Sequence, residues 1–203
     1  SAETKGIIQG RQHDPLGVPF INSPISGTDV VIGIEDIIGA EEGIGEGWMM
    51  LMESLSVGRG ISLPSTSTGG IKLAARVAGA YAQVREHVGI RFAKFEGIEI
   101  ELAKIPAFTY MMDAARKFTI GAIDEGKKPA VINAVMKYHS TEKFREVINH
   151  AMDIQGGAAI SLGPKILLAN AYFGAPIAVK TVAFDDLIVH LLNALHRTAR
   201  LFI

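Results

Sequence analysis

No cysteine occurs among the 203 residues, which excludes disulfides, thiolate nucleophiles and cysteine-ligated metals. Excess charge is also missing: 20 basic and 21 acidic side chains leave a formal net charge of −1. Nucleic acid and anionic membrane surfaces therefore have no electrostatic claim as main partners. No apolar run reaches the roughly eighteen residues that a membrane-spanning helix needs, and no charged-then-apolar leader opens the chain. The six histidines, His13, His87, His139, His150, His190 and His196, lack the i,i+4 pairing that marks zinc, so no metal is expected. Gly43-Ile-Gly-Glu-Gly47 lacks the Gly-Lys-Ser/Thr ending of a phosphate loop and reads as a joint between elements. Ser65-Thr-Ser-Thr68 has no paired base and is assigned to a helix interruption after Pro64. What is present is apolar bulk. At 48% hydrophobic content the chain can close a core as one domain, or one domain plus an appended piece.

Residues 1–45 are rich in Gly, Pro, Ile, Val and Asn, with β-favouring runs such as Val30-Val-Ile-Gly33 between turn signals at Asn22-Ser-Pro24 and Ser26-Gly-Thr28. Two or three short strands are expected there. After Gly47 the apolar period becomes helical. Trp48, Leu51, Met52, Leu55 and Arg59 share one face, and past Pro64 the stripe resumes with Ile71, Ala74, Ala75, Ala78, Tyr81, Ala82 and Arg85. A helix over 95–121 is expected to bend at Pro106 and stop at Gly121. The next starts with Pro129 as a first helical residue and stops at Gly156-Gly157. A short helix over 164–173 and a last one over 184–202 complete the expectation. The fold class is mainly α: an antiparallel four-helix-type bundle over 46–203, preceded by a short β-rich leader over 1–45.

Tyr81-Ala-Gln-Val-Arg-Glu-His-Val-Gly89, Phe95-Glu-Gly97 and Gln155-Gly-Gly157 together resemble the acyl-CoA dehydrogenase family. Gly58-Arg-Gly-Ile-Ser-Leu-Pro64, Lys137-Tyr-His139 and Ala151-Met-Asp-Ile154 are similar in particular to its long-chain bacterial branch. The resemblance covers about residues 6–182 and implies that the leader is the end of the family's middle β-domain and the rest its C-terminal helical domain. It implies a flavoprotein of fatty-acid β-oxidation that converts long-chain fatty acyl-CoA to the trans-2-enoyl-CoA and passes electrons to an acceptor. Such a protein would be cytoplasmic and bacterial, with any membrane association supplied by segments outside this chain. Ser1-Ala-Glu-Thr-Lys5, with no methionine, reads as a trimmed boundary.

The family's site residues carry over unevenly. Arg85 matches the arginine that reaches the pyrophosphate of FAD across a subunit interface, and a guanidinium suits that forked contact; the competing reading pairs it with Glu86 or helix-end carbonyls. Gly156 and Gly157 match the glycines under the adenine, and equally serve as a helix stop. Phe95 and Glu96 complete the cofactor set, while Ser56 and Arg59 are the substrate-binding candidates. Where family members often carry Gln, this chain has Glu96 and Asp153. No catalytic residue is assigned, because the family's two positions for the proton-abstracting Glu hold Ala183, after Pro176-Ile-Ala-Val-Lys-Thr-Val182, and Gly58. From Ala183 on, the sequence resembles a segment normally found further downstream, as though an intervening piece had been removed. The segment is accordingly expected to be inactive, to hold FAD weakly or not at all, and to form a dimer or larger homo-oligomer. The competing class is a non-catalytic helical-bundle interaction protein that keeps the family scaffold.

Overall fold

The computed structural model describes residues 3–17, 22–163 and 167–180. The chain divides into two compact units, Ser1–Ser54 and Leu55–Ile203. In the first, β1 (Ile7–Gln9) pairs antiparallel with β2 (Ile25–Gly27), Ile8 opposite Ser26. The pairing continues past the strands through Gly10 N–H to Pro24 O at 2.8 Å and Thr28 N–H to Gly6 O at 3.0 Å. Gly6 is required there: its φ is +89°, and a Cβ would stand 2.5 Å from Thr28 O. The β-favouring run Val30-Val-Ile32 is not a strand. Asp29 turns the chain with φ 52°, and Gly33 N–H is taken by the Asp36 carboxylate at 3.1 Å, starting a 3-10 turn over Ile34–Asp36. Turn chemistry thus overrides β propensity.

Helix α1 (Gly47–Gly60) is separated from α2 (Ser62–Val84) by Ile61 alone. The break therefore precedes Pro64, which sits in the first turn of α2, where a missing N–H costs no helical bond. Ser65–Thr68 is consequently helical, with Ser67 and Thr68 buried, and not the interruption that the sequence suggests. A short hairpin follows: β3 (Glu86–His87) pairs with β4 (Ile90–Arg91). Its two central residues both have positive φ, Val88 at 48° and Gly89 at 77°, as a type I′ turn demands. The turn pair is Val88-Gly89, whose β-branched residue resists that conformation, so the sequence carries no Asn-Gly hairpin signal here.

Helix α3 (Glu96–Asp124) runs through both Pro106 and Gly121. Glycine in a right-handed turn weakens a helix without ending it. The stop comes at Gly126, φ 78°, where Gly126 N–H reaches Ile123 O at 2.8 Å and Lys127 N–H reaches Ala122 O at 3.0 Å, the paired bonds of a Schellman motif. Helix α4 (Ala130–Gln155) has Pro129 as its N-cap and ends at Gly156, φ 59°. Helix α5 (Leu168–Lys180) starts later than expected and continues through Pro176. Ala183 and the expected helix over 184–202 lie outside the described residues.

Consecutive helices α2, α3 and α4 alternate in direction, so α2 and α4 run the same way. Position by position, Gly60 faces Asn133, Gly70 faces Phe144, and the ends at Arg85 and Gly157 border one cavity. Their shared core comprises Ile71, Ala74, Ala78 and Ala82 of α2 with Val147, Ile148, Ala151 and Ile154 of α4. At the other end, Asn133 Nδ2 donates to Ser56 O and Oγ, both at 3.1 Å. Lys137 of α4 is fully buried. Charges stitch α3 to both neighbours: Asp113 meets Lys72 of α2 at 2.9 Å as well as its own Arg116 and Lys117, and Glu101 is shared by Lys104 and His150 of α4. No helix among the described residues is long and apolar enough to cross a membrane.

At Gly70 an added Cβ would lie 2.4 Å from the buried Phe144 ring. Gly70→Ala is expected to cost about 1–3 kcal/mol. Gly69→Ala, where a Cβ meets nothing within 4 Å, should instead add about 0.5–1 kcal/mol; urea midpoints measured side by side check the contrast.

Hydrogen bonds from Lys72 and Arg116, with Lys117 nearby, hold the Asp113 carboxyl well below the usual carboxylate range. A depressed folded-state value stabilises the fold above the unfolded value of about 3.9 and is lost as pH falls through the folded one. Acid unfolding curves should therefore show a loss below about pH 4 that Asp113→Asn reduces. An unchanged acid limb in that variant would remove Asp113 from the account.

Candidate functional site

The parallel course of α2 and α4 brings their C-terminal ends together, and between them lies an open cavity of about 650 Å³. One wall comes from α2 and the hairpin: Tyr81, Arg85, His87 and, just beyond β4, Phe92. The other is the last turn of α4 and the glycines after it, Asp153 to Ala158. Ile98, in the first turn of α3, also borders it.

Arg85 leaves α2 in an extended conformation, its N–H still bonded to Tyr81 O at 2.8 Å. Its guanidinium is exposed and makes no ion pair with Glu86 or any other described residue. The Asp153 carboxylate is likewise exposed and unengaged among the described residues. Phe92 organises the wall, meeting Tyr81 edge-on at 6.1 Å, His87 at 6.5 Å and Phe95 at 5.9 Å between ring centroids. Gly156 needs glycine for its left-handed φ, whereas at Gly157 no such φ applies and an added side chain would project into open space.

Of the residues expected to hold a cofactor, Arg85, Gly156 and Gly157 border this cavity. Phe95 supports it only through Phe92, and Glu96, exposed at the start of α3, is not in its lining. The substrate candidates lie elsewhere: Ser56 is bonded by Asn133, and Arg59 is buried. Gly58 has no carboxylate to offer and nothing near its Cβ position, and Ala183 is outside the described residues. Tyr81, His87, Phe92 and Gln155 were not singled out as site residues. Tyr81, His87 and Gln155 belong to the motifs that carry the resemblance, and Phe92 lies between two of them, so motif membership is the signal that reaches the first three. No group of three or more His, Asp or Glu that could hold a metal occurs among the described residues.

A guanidinium unpaired among the described residues, glycines that leave room beside the backbone and an aromatic wall fit the nucleotide half of a flavin dinucleotide. Arg85 would meet the phosphates, and Gly156 and Gly157 would lie under the flat base.

Residues 45–178 match the family model described as acyl-CoA dehydrogenase, C-terminal domain. Over a shorter stretch the chain is similar to protein HemX of Proteus mirabilis, 55% identical over 78 residues, which is 38% of this chain and 46% of that one. It is also similar to the 3-(aryl)acrylate reductase of Clostridium sporogenes, 28% identical over 162 residues, covering 77% of this chain and 41% of the other. Among solved structures, butyryl-CoA dehydrogenase from Megasphaera elsdenii superposes with a TM-score of 0.74 at 25% identity, over 87% of this chain and 45% of that one. The chain thus spans about half or less of the length of these relatives. With a family match across two helical bundle partners and the cavity between them, the chain belongs to the acyl-CoA dehydrogenase family.

Proposed function

We propose that this chain is the helical-domain part of a flavin-dependent acyl-CoA dehydrogenase, and that the cavity between the ends of α2 and α4 receives the ADP end of FAD. The observation that carries the reading is the meeting, in one cavity, of Arg85, unpaired among the described residues, with Gly156 and Gly157. Residues 1–45 are then the closing part of the middle β-domain and 46–203 the helical domain. When bound, the flavin supplies the hydride acceptor for oxidation of the acyl α,β bond. This chain's residues contribute orientation: Arg85 holds phosphate, Phe92 with Phe95 stiffens the wall, and the glycines admit the base. Long-chain acyl-CoA is the substrate of the whole protein, with Ser56 and Arg59 on its side, and electrons leave to a separate acceptor.

The segment itself lacks the proton-abstracting carboxylate, since Gly58 and Ala183 stand at both family positions. Without that base the segment does not turn over, and on its own it binds flavin weakly. Loss of a general base costs on the order of 10²–10⁴ in rate. A homo-oligomer in which Arg85 serves a cofactor held partly by a second copy accords with an exposed guanidinium.

FAD titrated into the purified 203-residue chain should give weak, saturable binding by flavin fluorescence. Arg85→Gln is expected to weaken it at least about tenfold, and Gly157→Val to weaken it while shifting stability by no more than about 0.5 kcal/mol. Acyl-CoA added to the complex should leave the flavin absorbance unbleached. Binding insensitive to both substitutions would sink the cavity assignment, and substrate-dependent bleaching would sink the inactivity.

A further inference from the structure

Two opposite charges border one cavity without neutralising each other. Arg85 and Asp153 are exposed and face the same space, yet their charged groups lie beyond ion-pair distance, and neither is engaged by another described residue. The charges are also sorted. Arg85 stands just past the negative end of α2 and outweighs it, a full charge against about half of one. Asp153, in contrast, is in the last turn of α4, where the helix dipole deepens its negative potential.

Resting on the cofactor reading above, we propose that Asp153 is a specificity-determining residue that accepts hydrogen bonds from the hydroxyls of an adenosine ribose and repels a ribose carrying a phosphate. An ionised carboxylate only accepts hydrogen bonds, so a free diol satisfies it and a phosphate cannot. The same pairing of an acid with ribose hydroxyls separates unphosphorylated from phosphorylated dinucleotides on other nucleotide-binding folds. For an acyl-CoA dehydrogenase the distinction matters, because both of its large ligands end in adenosine diphosphate. In FAD the ribose hydroxyls are free; in coenzyme A the 3′ position is phosphorylated. A cavity graded from Arg85 to Asp153 admits the first nucleotide and turns away the second.

The test compares ADP with adenosine 3′-phosphate 5′-diphosphate on the whole chain, using calorimetry and the amide signals of Gly156 and Gly157. A cavity governed by Arg85 alone would bind the more highly charged nucleotide more tightly, so the expected order is diagnostic. The 3′-phosphorylated nucleotide should bind at least about tenfold more weakly than ADP at low ionic strength, and the ratio should shrink as salt rises. Asp153→Asn should bring the two within about threefold, while Arg85→Gln weakens both together. Equal affinities in the unaltered chain, or a ratio that Asp153→Asn does not change, would overturn the role of Asp153 and leave the cavity assignment standing. If ADP shifts neither glycine signal, the cavity assignment fails and this proposal with it.

Discussion

Alanine at 74, 78 and 82, each without solvent exposure, lets α2 close against α4 over a core that larger residues would hold apart. Small side chains on one helix and Val147, Ile148 and Ile154 on the other make a surface with little room for adjustment. Gly60 and Gly70 extend the same constraint toward the start of α2, where Asn133 and the Phe144 ring occupy the space that a Cβ would need. The register of the two helices is thereby set at several points along their length, and the separation of Arg85 from Gly157 follows from it.

Because the helices run in parallel, this close packing has a directional result. Two chain segments leave the bundle at the same end, one as the β3–β4 hairpin and the other as Gly156-Gly157. Both exits use positive backbone angles, at Val88 and Gly89 in the hairpin and at Gly156 after α4. The walls of the cavity are thus formed where helical hydrogen bonding stops, and polar groups there are available to a ligand because no further turn takes them up. Strain at Val88 is the kind of local cost that tends to collect beside such sites.

Much of this was readable in the sequence where one residue type has one physical role. Pro129 and Gly156 bracket α4 to within a residue, because proline suits a helix start and glycine a left-handed stop. The apolar stripe of α2 names the buried face from Ile71 to Ala82. Legibility fails where a residue has two roles. Gly121 and Gly126 are alike in sequence, but only the second adopts the left-handed angle that ends α3. Pro64 reads as an interruption, yet it occupies the first turn of α2. At the site, the motif around Arg85 and the glycine pair pointed to residues that do border one cavity, whereas Ser56 and Glu96 do not join them. Nothing in the residue types shows that Ser56 is claimed by Asn133, 77 positions away. That distance is closed only by tertiary packing.

Lys137 has a use of its own. Its side chain is wholly enclosed, and its carbonyl accepts hydrogen bonds from the hydroxyls of Ser140 and Thr141 at 3.2 and 2.9 Å. An amine-modifying reagent that labels lysines such as Lys72 or Lys127, both well exposed, has no path to this one while the bundle is closed. Acylation at Lys137 therefore keeps a chemical record of how often the bundle has opened, readable afterwards in a peptide digest.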